Sequence, residues 1–321
     1  MQRRSLSSTI SIAPVMLGTN IFGLVGDEAD AHRILDRFVD RGFNAVDTAD
    51  SYPHYTMTGK PGPNGALSEE IIGSWIAKTG RRDAIALSTK VGEWQARPGL
   101  SAANIEAAVE DSLRRLKTDY IDIYFAHIAD PETPQEETMR AFDRLVTSGK
   151  VRTLGASHYP VPLLEEALAV SRDNGLARYE VLQPGYNMHD REPFESLLRP
   201  IVERHGMGVV PYFGLASGFL SGKYRTAADL EGRMRGGMVA HYLTPRGLAI
   251  LDALDDVAAQ VGATPARVAI AWLIGQPGVT APIVSATSIA QLDELLDAAD
   301  LKLSDDQLSL LDRASAPPAA A

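Results

Sequence analysis

Eight short apolar runs alternate with amphipathic stretches from one end of the chain to the other. No other feature constrains the fold as strongly. The runs are PVMLGTN from Pro14, FNAVDTA from Phe43, AIALSTK from Ala84, YIDIYFAHI from Tyr120, VRTLGASH from Val151, YEVLQPG from Tyr179, MGVVPYF from Met207 and TAPIVSA from Thr280. Runs this short and this apolar are expected of parallel strands covered on both faces. Between them lie helices with physical signatures. Ile105, Val109, Leu113 and Leu116 fall on one face of a helix over 101–117. Thr133-Pro134-Gln135-Glu136 reads as a capping box opening a helix whose stripe is Met139, Phe142, Leu145 and Val146, with Gly149 at its end. Ser304 to Gln307 opens a last helix the same way. Eight β/α units favour a (β/α)₈ barrel over a doubly wound sheet. Two helices are surplus to the count, one near the seventh strand's helix and one at the C-terminus. The chain of 321 residues reads as a single barrel domain over 1–321, with a flexible tail at 315–321. Long loops are expected on the C-terminal face, at 51–67 and 223–238.

Composition narrows the chemistry. There is no cysteine, so disulfides, a thiolate nucleophile and Cys-ligated metal clusters are excluded. Lys plus Arg is 31 against 41 Asp plus Glu, a net charge of −10, which argues against nucleic acid or an anionic membrane as the main partner. Arg3-Arg4 before a mildly apolar stretch has the outline of a twin-arginine export signal. Ser5, Ser7, Ser8, Thr9 and Ser11 dilute that stretch and Pro14 cuts it. No run approaches a transmembrane length, and VAIAWLI (268–274) reads as a buried helix. The chain is read as cytoplasmic.

Polar residues recur where the apolar runs end: Asp47 with Tyr52 beyond it, Lys90, His127, Ser157-His158, Gln183 and Tyr212. In a barrel these positions converge on the C-terminal face, where active sites lie. Asp, Tyr, Lys and His can form an acid–base centre. A lysine cation beside a tyrosine favours the phenolate, an aspartate anchors the lysine, and a histidine orients a substrate oxygen. Each residue alone also has a plain structural role. Lys90 can be a surface residue, His127 a core histidine, Asp47 a turn cap, and Tyr52 a packing residue before Pro53.

The motifs together resemble the aldo-keto reductases, in the branch that includes the potassium-channel β-subunits. They are GFNAVDTADSY (42–52), LSEEIIGSWI (67–76), STKVG (88–92), LRRLKTDYIDIYFAHIAD (113–130), GKVRTLGASHY, LQPGYN and LASGFLSGKY, in the family's order. The resemblance implies a catalytic tetrad of Asp47, Tyr52, Lys90 and His127. Tyr52 would be the general acid or base, with Lys90 lowering its pKa. It also implies NADP(H), less often NAD(H), bound in extended form without a Rossmann fingerprint. Thr19, Asn20 and Asp47 would lie near the cofactor. Ser157, with His158 beside it, and Gln183 would hold the carboxamide, and Tyr212 would stack on the nicotinamide. Leu215 to Lys223 and Arg233 would clasp the pyrophosphate. Ser285, Thr287, Gln291 and Glu294 would meet the adenosine. Arg233 also reads as a solvated loop charge, Tyr212 as core packing, and Gln291 as a helix cap after Ser288. The sequence departs from the family pattern at His158 for Asn, Gly214 for Pro, Ser285 for Gly and Leu295 for Asn.

The resemblance implies an NADP(H)-dependent oxidoreductase interconverting an aldehyde, ketone or sugar-like carbonyl and its alcohol. The alternative is a nicotinamide-binding regulatory subunit with little turnover. A barrel metallohydrolase is disfavoured, since the seven histidines show neither HxH nor HExxH. Tyr55, Met57, Trp94, Ala129 and 234–242 are the expected specificity positions.

Overall fold

The computed structural model describes residues 2–53, 66–232 and 236–317. Two strands, β1 (Arg4–Ser5) and β2 (Ser11–Ile12), form a small antiparallel hairpin. The other eight are parallel: β3 (Met16–Gly18), β4 (Ala45–Asp47), β5 (Ala86–Val91), β6 (Ile121–Ala126), β7 (Val151–Ser157), β8 (Tyr179–Gln183), β9 (Gly208–Val209) and β10 (Ile283–Val284). Seven lie wholly inside one of the eight apolar runs, and β5 passes the end of its run by one residue, Val91. They pair in the order β10-β3-β4-β5-β6-β7-β8-β9. The ends meet, because Thr280 N donates to Val209 O at 2.8 Å and Ile283 N to Pro211 O at 2.9 Å. The sheet is therefore a closed barrel, and closure removes the unpaired edge.

The longer α-helices are α1 (Glu28–Asp40), α2 (Leu67–Thr79), α3 (Ala102–Leu116), α4 (Gln135–Thr147), α5 (Val161–Asn174), α6 (Arg199–His205), α7 (Pro245–Val261), α8 (Pro265–Gly275), α9 (Ile289–Leu296) and α10 (Asp305–Ser315). The stripe expected for α3 is buried, and Ser101 caps it by accepting from Asn104 N. The two surplus helices are α7 and α10. Gln307 Nε2 donates to Gln260 Oε1 at 3.1 Å between them, and Trp272 Nε1 of α8 donates to Asp312 Oδ1 at 3.0 Å. Ser304 closes its capping box with Gln307. The box expected at Thr133 does not form. The helix starts at Gln135, and the Thr133 hydroxyl donates to Asp130 instead, at 2.7 Å. The N-cap position falls to Pro134, which has no side-chain group to accept from the first-turn N–H groups.

Each strand sends alternate residues inward and outward. Outward side chains such as Val46, Leu87, Tyr124, Leu154 and Leu182 join the layer beneath the helices. Inward ones, Met16, Ala45, Ala86, Ile123, Phe125, Val181 and Ala281, fill the barrel interior together with Leu6, Ile10 and Ile12 of the hairpin. The hairpin thus plugs the N-terminal end of the barrel. Arg4 Nη1 fastens it by donating to Ile274 O at 2.8 Å, and the Ser7 and Thr153 hydroxyls bond at 3.1 Å. The segment read as a diluted export signal is part of this plug. Among the described residues no single helix is long and apolar enough to cross a membrane.

Candidate active site

The inward period of two carries straight from core into chemistry. On β4 the step after Ala45 is Asp47, and on β5 the series is Ala86, Ser88, Lys90. On β6 Ile123 and Phe125 lead to His127, just past the strand. On β7 and β8 the last inward residues are Ser157 and Gln183. The topmost inward layer is therefore polar while the layers beneath it are mostly apolar, and the polar side chains meet in a buried cluster.

Lys90 is fully buried. Its Nζ sits 2.6 Å from Asp47 Oδ2, donates to Thr48 O at 2.6 Å, and reaches the Tyr52 hydroxyl at 3.4 Å. Asp47 Oδ1 also accepts from Ser88 Oγ at 2.7 Å and Gln183 Nε2 at 3.1 Å. A buried ion pair persists only when its remaining polar atoms are satisfied, and these bonds do that. The rings of Tyr52 and His127 meet edge-on at 5.6 Å. All four residues expected in the tetrad are thus neighbours. Two supporting groups, Ser88 and the Thr48 carbonyl, escaped the sequence reading because their roles appear only once β4 and β5 pair.

Burial sets the electrostatics. It pushes the Tyr52 phenol well above its usual range, and the charges of Asp47 and Glu93 add to the effect. The net shift is upward even with the Lys90 ammonium 3.4 Å from the hydroxyl, because desolvation outweighs it. Desolvation also pulls Lys90 down, against the opposing pull of Asp47. Tyr52 therefore carries its proton and can donate it. The ammonium at 3.4 Å gains most when charge develops on the phenolic oxygen.

A cavity of about 910 Å³ opens above this cluster. Asn20, Asp47, Tyr52, His127, His158, Gln183, Tyr212, Leu215, Lys223, Ser285, Gln291 and Glu294 line it, as the sequence reading expected. Thr19 is fully buried and donates to Asp47 O at 2.8 Å. Ser157 is also fully buried, its hydroxyl donated to Gln183 O at 3.0 Å. Thr19 and Ser157 therefore brace the wall rather than form its surface. Thr287 N donates to Gln291 Oε1 at 2.8 Å, while Ser288 caps α9. Gln291 thus ties the turn that precedes the helix. Arg233, Tyr55 and Met57 lie outside the described residues.

Two departures from the family pattern have physical reasons. His158 has φ 49°, a left-handed conformation in which Asn, Asp and His are enriched. Its ring stacks on Tyr212 at 5.1 Å. Ser285 Oγ donates to Gly18 O at 2.9 Å and bonds Asn20 Oδ1 at 3.0 Å, joining the rims of β10 and β3. Tyr212 is pushed up to about 12 by burial and the charge of Glu93.

The residues present fit a nicotinamide dinucleotide. Phe213, Ala216, Ser217 and Gly218 all have positive φ, and such turns build anion-binding concavities. A Cβ on Gly218 would lie 3.4 Å from Lys223 Nζ, so that glycine keeps the space beside the ammonium open. Tyr212 offers an aromatic wall. Glu93, Gln95, Ala96 and Phe213 also line the cavity and were not anticipated. Glu93, three residues beyond Lys90, was the one with a readable signal.

Comparison with known proteins gives consistent findings. The sequence profile described as the aldo/keto reductase family matches residues 14–316. An oxidoreductase of Bacillus subtilis, YrpG, itself uncharacterized, is 32% identical over 94% of this chain and 92% of its own. The norsolorinic acid reductase of Aspergillus flavus is 31% identical over 97% of this chain and 79% of its own. A probable voltage-gated potassium channel subunit beta of Arabidopsis thaliana is 32% identical, covering 94% and 92% respectively.

Proposed function

The chain belongs to the aldo/keto reductase family and is an oxidoreductase, and from that premise we propose that it reduces an aldehyde or ketone with NADPH, or runs the reverse reaction, with Tyr52 as general acid and base. The observation that carries the reading is the buried Asp47–Lys90–Tyr52 chain opening beside His127 into the large cavity. A reduced nicotinamide supplies the hydride. The chain's own residues manage the oxygen. His127 orients the carbonyl by a hydrogen bond. Tyr52 gives its proton to the oxygen as it gains charge. Lys90 Nζ stabilises the phenolate left behind, and Asp47 keeps the ammonium charged and in place. In the reverse direction the phenolate accepts the alcohol proton.

Asn20, His158, Gln183 and Tyr212 would hold the nicotinamide end. Leu215, Lys223 and Arg233 would hold the diphosphate, and Ser285, Thr287, Gln291 and Glu294 the adenosine end. The preference for NADPH over NADH rests on the cations Lys223 and Arg233 and on the habit of the family; the adenosine-side segment 285–294 carries no Lys or Arg of its own. The first test is a tryptophan-fluorescence titration with each cofactor. Saturable binding that favours NADPH is expected, and tenfold tighter binding of NADH would overturn the preference. A second reading, a nicotinamide-binding regulatory subunit, draws on the likeness to the plant channel subunit. Turnover of a panel of aldehydes and ketones at saturating NADPH separates the two.

A further inference from the structure

Glu93 belongs to no role described so far, yet it stands against the residue proposed to orient the substrate. Gly92 ends β5 with φ 110°, and a Cβ there would lie 2.8 Å from Leu100 Cδ2. Only glycine turns the chain this way without strain. The turn delivers Glu93 to the cavity wall. On the neighbouring strand His127 N donates to Val91 O at 2.9 Å, so the two strand ends run side by side. Glu93 Oε2 lies 3.0 Å from His127 Nε2. The carboxylate side chain is 29% exposed, and its charge acts on Tyr52, Lys90 and Tyr212 as well.

Apart from the neutral amide of Gln95 and the two histidines, this end of the cavity is mostly aromatic or apolar. Trp94 and Ala96 follow Glu93, Tyr52 and Tyr212 face in, and Phe213 is 49% exposed at the rim. Among the described residues the other charged groups lining the cavity are Asp47, which is paired with Lys90, and Lys223 and Glu294, which belong to the cofactor-side set. Phe213 and Trp94 offer faces to an aryl group, and an aromatic face also attracts a cation. A carbonyl oxygen that takes the His127 Nε2 hydrogen must take it from Glu93. The freed carboxylate then needs a partner in a partly dehydrated site.

We propose that Glu93 is a specificity-determining residue, which through its contact with His127 and its place on the aromatic wall selects aryl carbonyl substrates bearing a positive charge and rejects anionic ones. This rests on the reductase reading above. A carboxylate within several ångströms of a substrate charge, at an effective dielectric of about 20, is expected to separate opposite substrate charges by roughly tenfold or more.

The test compares three aldehydes of similar shape with NADPH: benzaldehyde, 4-carboxybenzaldehyde and 4-(trimethylammonio)benzaldehyde. The wild type is expected to favour the cationic over the anionic aldehyde in kcat/KM by about tenfold or more. In Glu93→Gln that ratio is expected to fall to within about threefold of one. A wild-type ratio near one, or a ratio unchanged in Glu93→Gln, overturns the proposal. Benzaldehyde reports on the reductase reading separately. If none of the three is turned over, the Kd values of the matching benzyl alcohols for the NADP⁺-loaded protein, read from tryptophan emission, apply the same criterion in both proteins.

Discussion

Replacing Lys90 with methionine removes the one buried ammonium in the tetrad while keeping a side chain of similar length. The reasoning above assigns that ammonium two separable effects. The first is catalytic. A unit charge 3.4 Å from the phenolic oxygen, at an effective dielectric of about 20, favours the phenolate by roughly 5 kcal/mol. That is between about three and four pKa units, and proton transfer follows such a change only in part. A fall in kcat of about 10³-fold is expected. The second effect is structural. Asp47 would be stranded in the interior, at a cost of about 3–5 kcal/mol. The lower end applies, since Ser88 Oγ and Gln183 Nε2 still donate to it. The double variant Asp47→Asn, Lys90→Met removes both charges and should recover most of that stability without recovering activity. Urea denaturation and steady-state turnover of the wild type and both variants test the two effects. A Lys90→Met enzyme that keeps more than a tenth of kcat would refute the catalytic reasoning. A double variant as unstable as the single one would refute the structural reasoning.

Tyr52→Phe is expected to abolish turnover while changing the NADPH Kd by less than about threefold, measured by fluorescence titration, because the hydroxyl acts on substrate. Reduction should hold its rate through neutral pH and fall only at strongly alkaline pH, since burial raises the pKa of the Tyr52 donor; a fall in kcat/KM near pH 8 would contradict this. Among the described residues the buried Asp50 carboxyl accepts no hydrogen bond, and burial followed by the charge of Glu69 raises its pKa well above the usual value. A carboxyl whose folded pKa is raised binds protons more tightly when folded, so it costs stability as pH rises above its unfolded value near ~4. Asp50→Asn should therefore raise the melting temperature more at pH 8 than at pH 5, and an equal gain at both would show that the charge is not the cause. Gly73→Ala should destabilise by about 1–3 kcal/mol or more in urea denaturation, because a Cβ there would stand 2.0 Å from Arg115 O where α2 crosses α3; an unchanged midpoint would mean that the helices part freely.

All eight barrel strands were legible because a parallel strand covered on both faces must be apolar almost throughout, and such runs are conspicuous between amphipathic helices. The tetrad was legible for a related reason: a polar residue at the end of an apolar run has few structural explanations, and four of them in family order have fewer. Local patterns failed where a competing partner came from elsewhere. Thr133 had the outline of a cap, but Asp130 takes its hydroxyl. The N-terminal segment has too few apolar residues in a row to read as structure, yet Leu6, Ile10 and Ile12 find a barrel end to fill.

Burial decided what spacing could not. The sequence puts a lysine near a tyrosine and so suggests a lowered phenol pKa. The folded chain buries that tyrosine beside Asp47 and Glu93, and desolvation carries the pKa upward. The hydroxyls of Thr19 and Ser157 donate to the Asp47 and Gln183 carbonyls, partners that only the folded barrel brings to them. Glu93 becomes part of the site only because β5 and β6 end side by side, bringing residues 34 positions apart to 3.0 Å. Periodicity and residue type are properties of a segment and can be read along the chain. Charge state and choice of partner depend on what the remaining chain excludes from water, and only the closed barrel settles that.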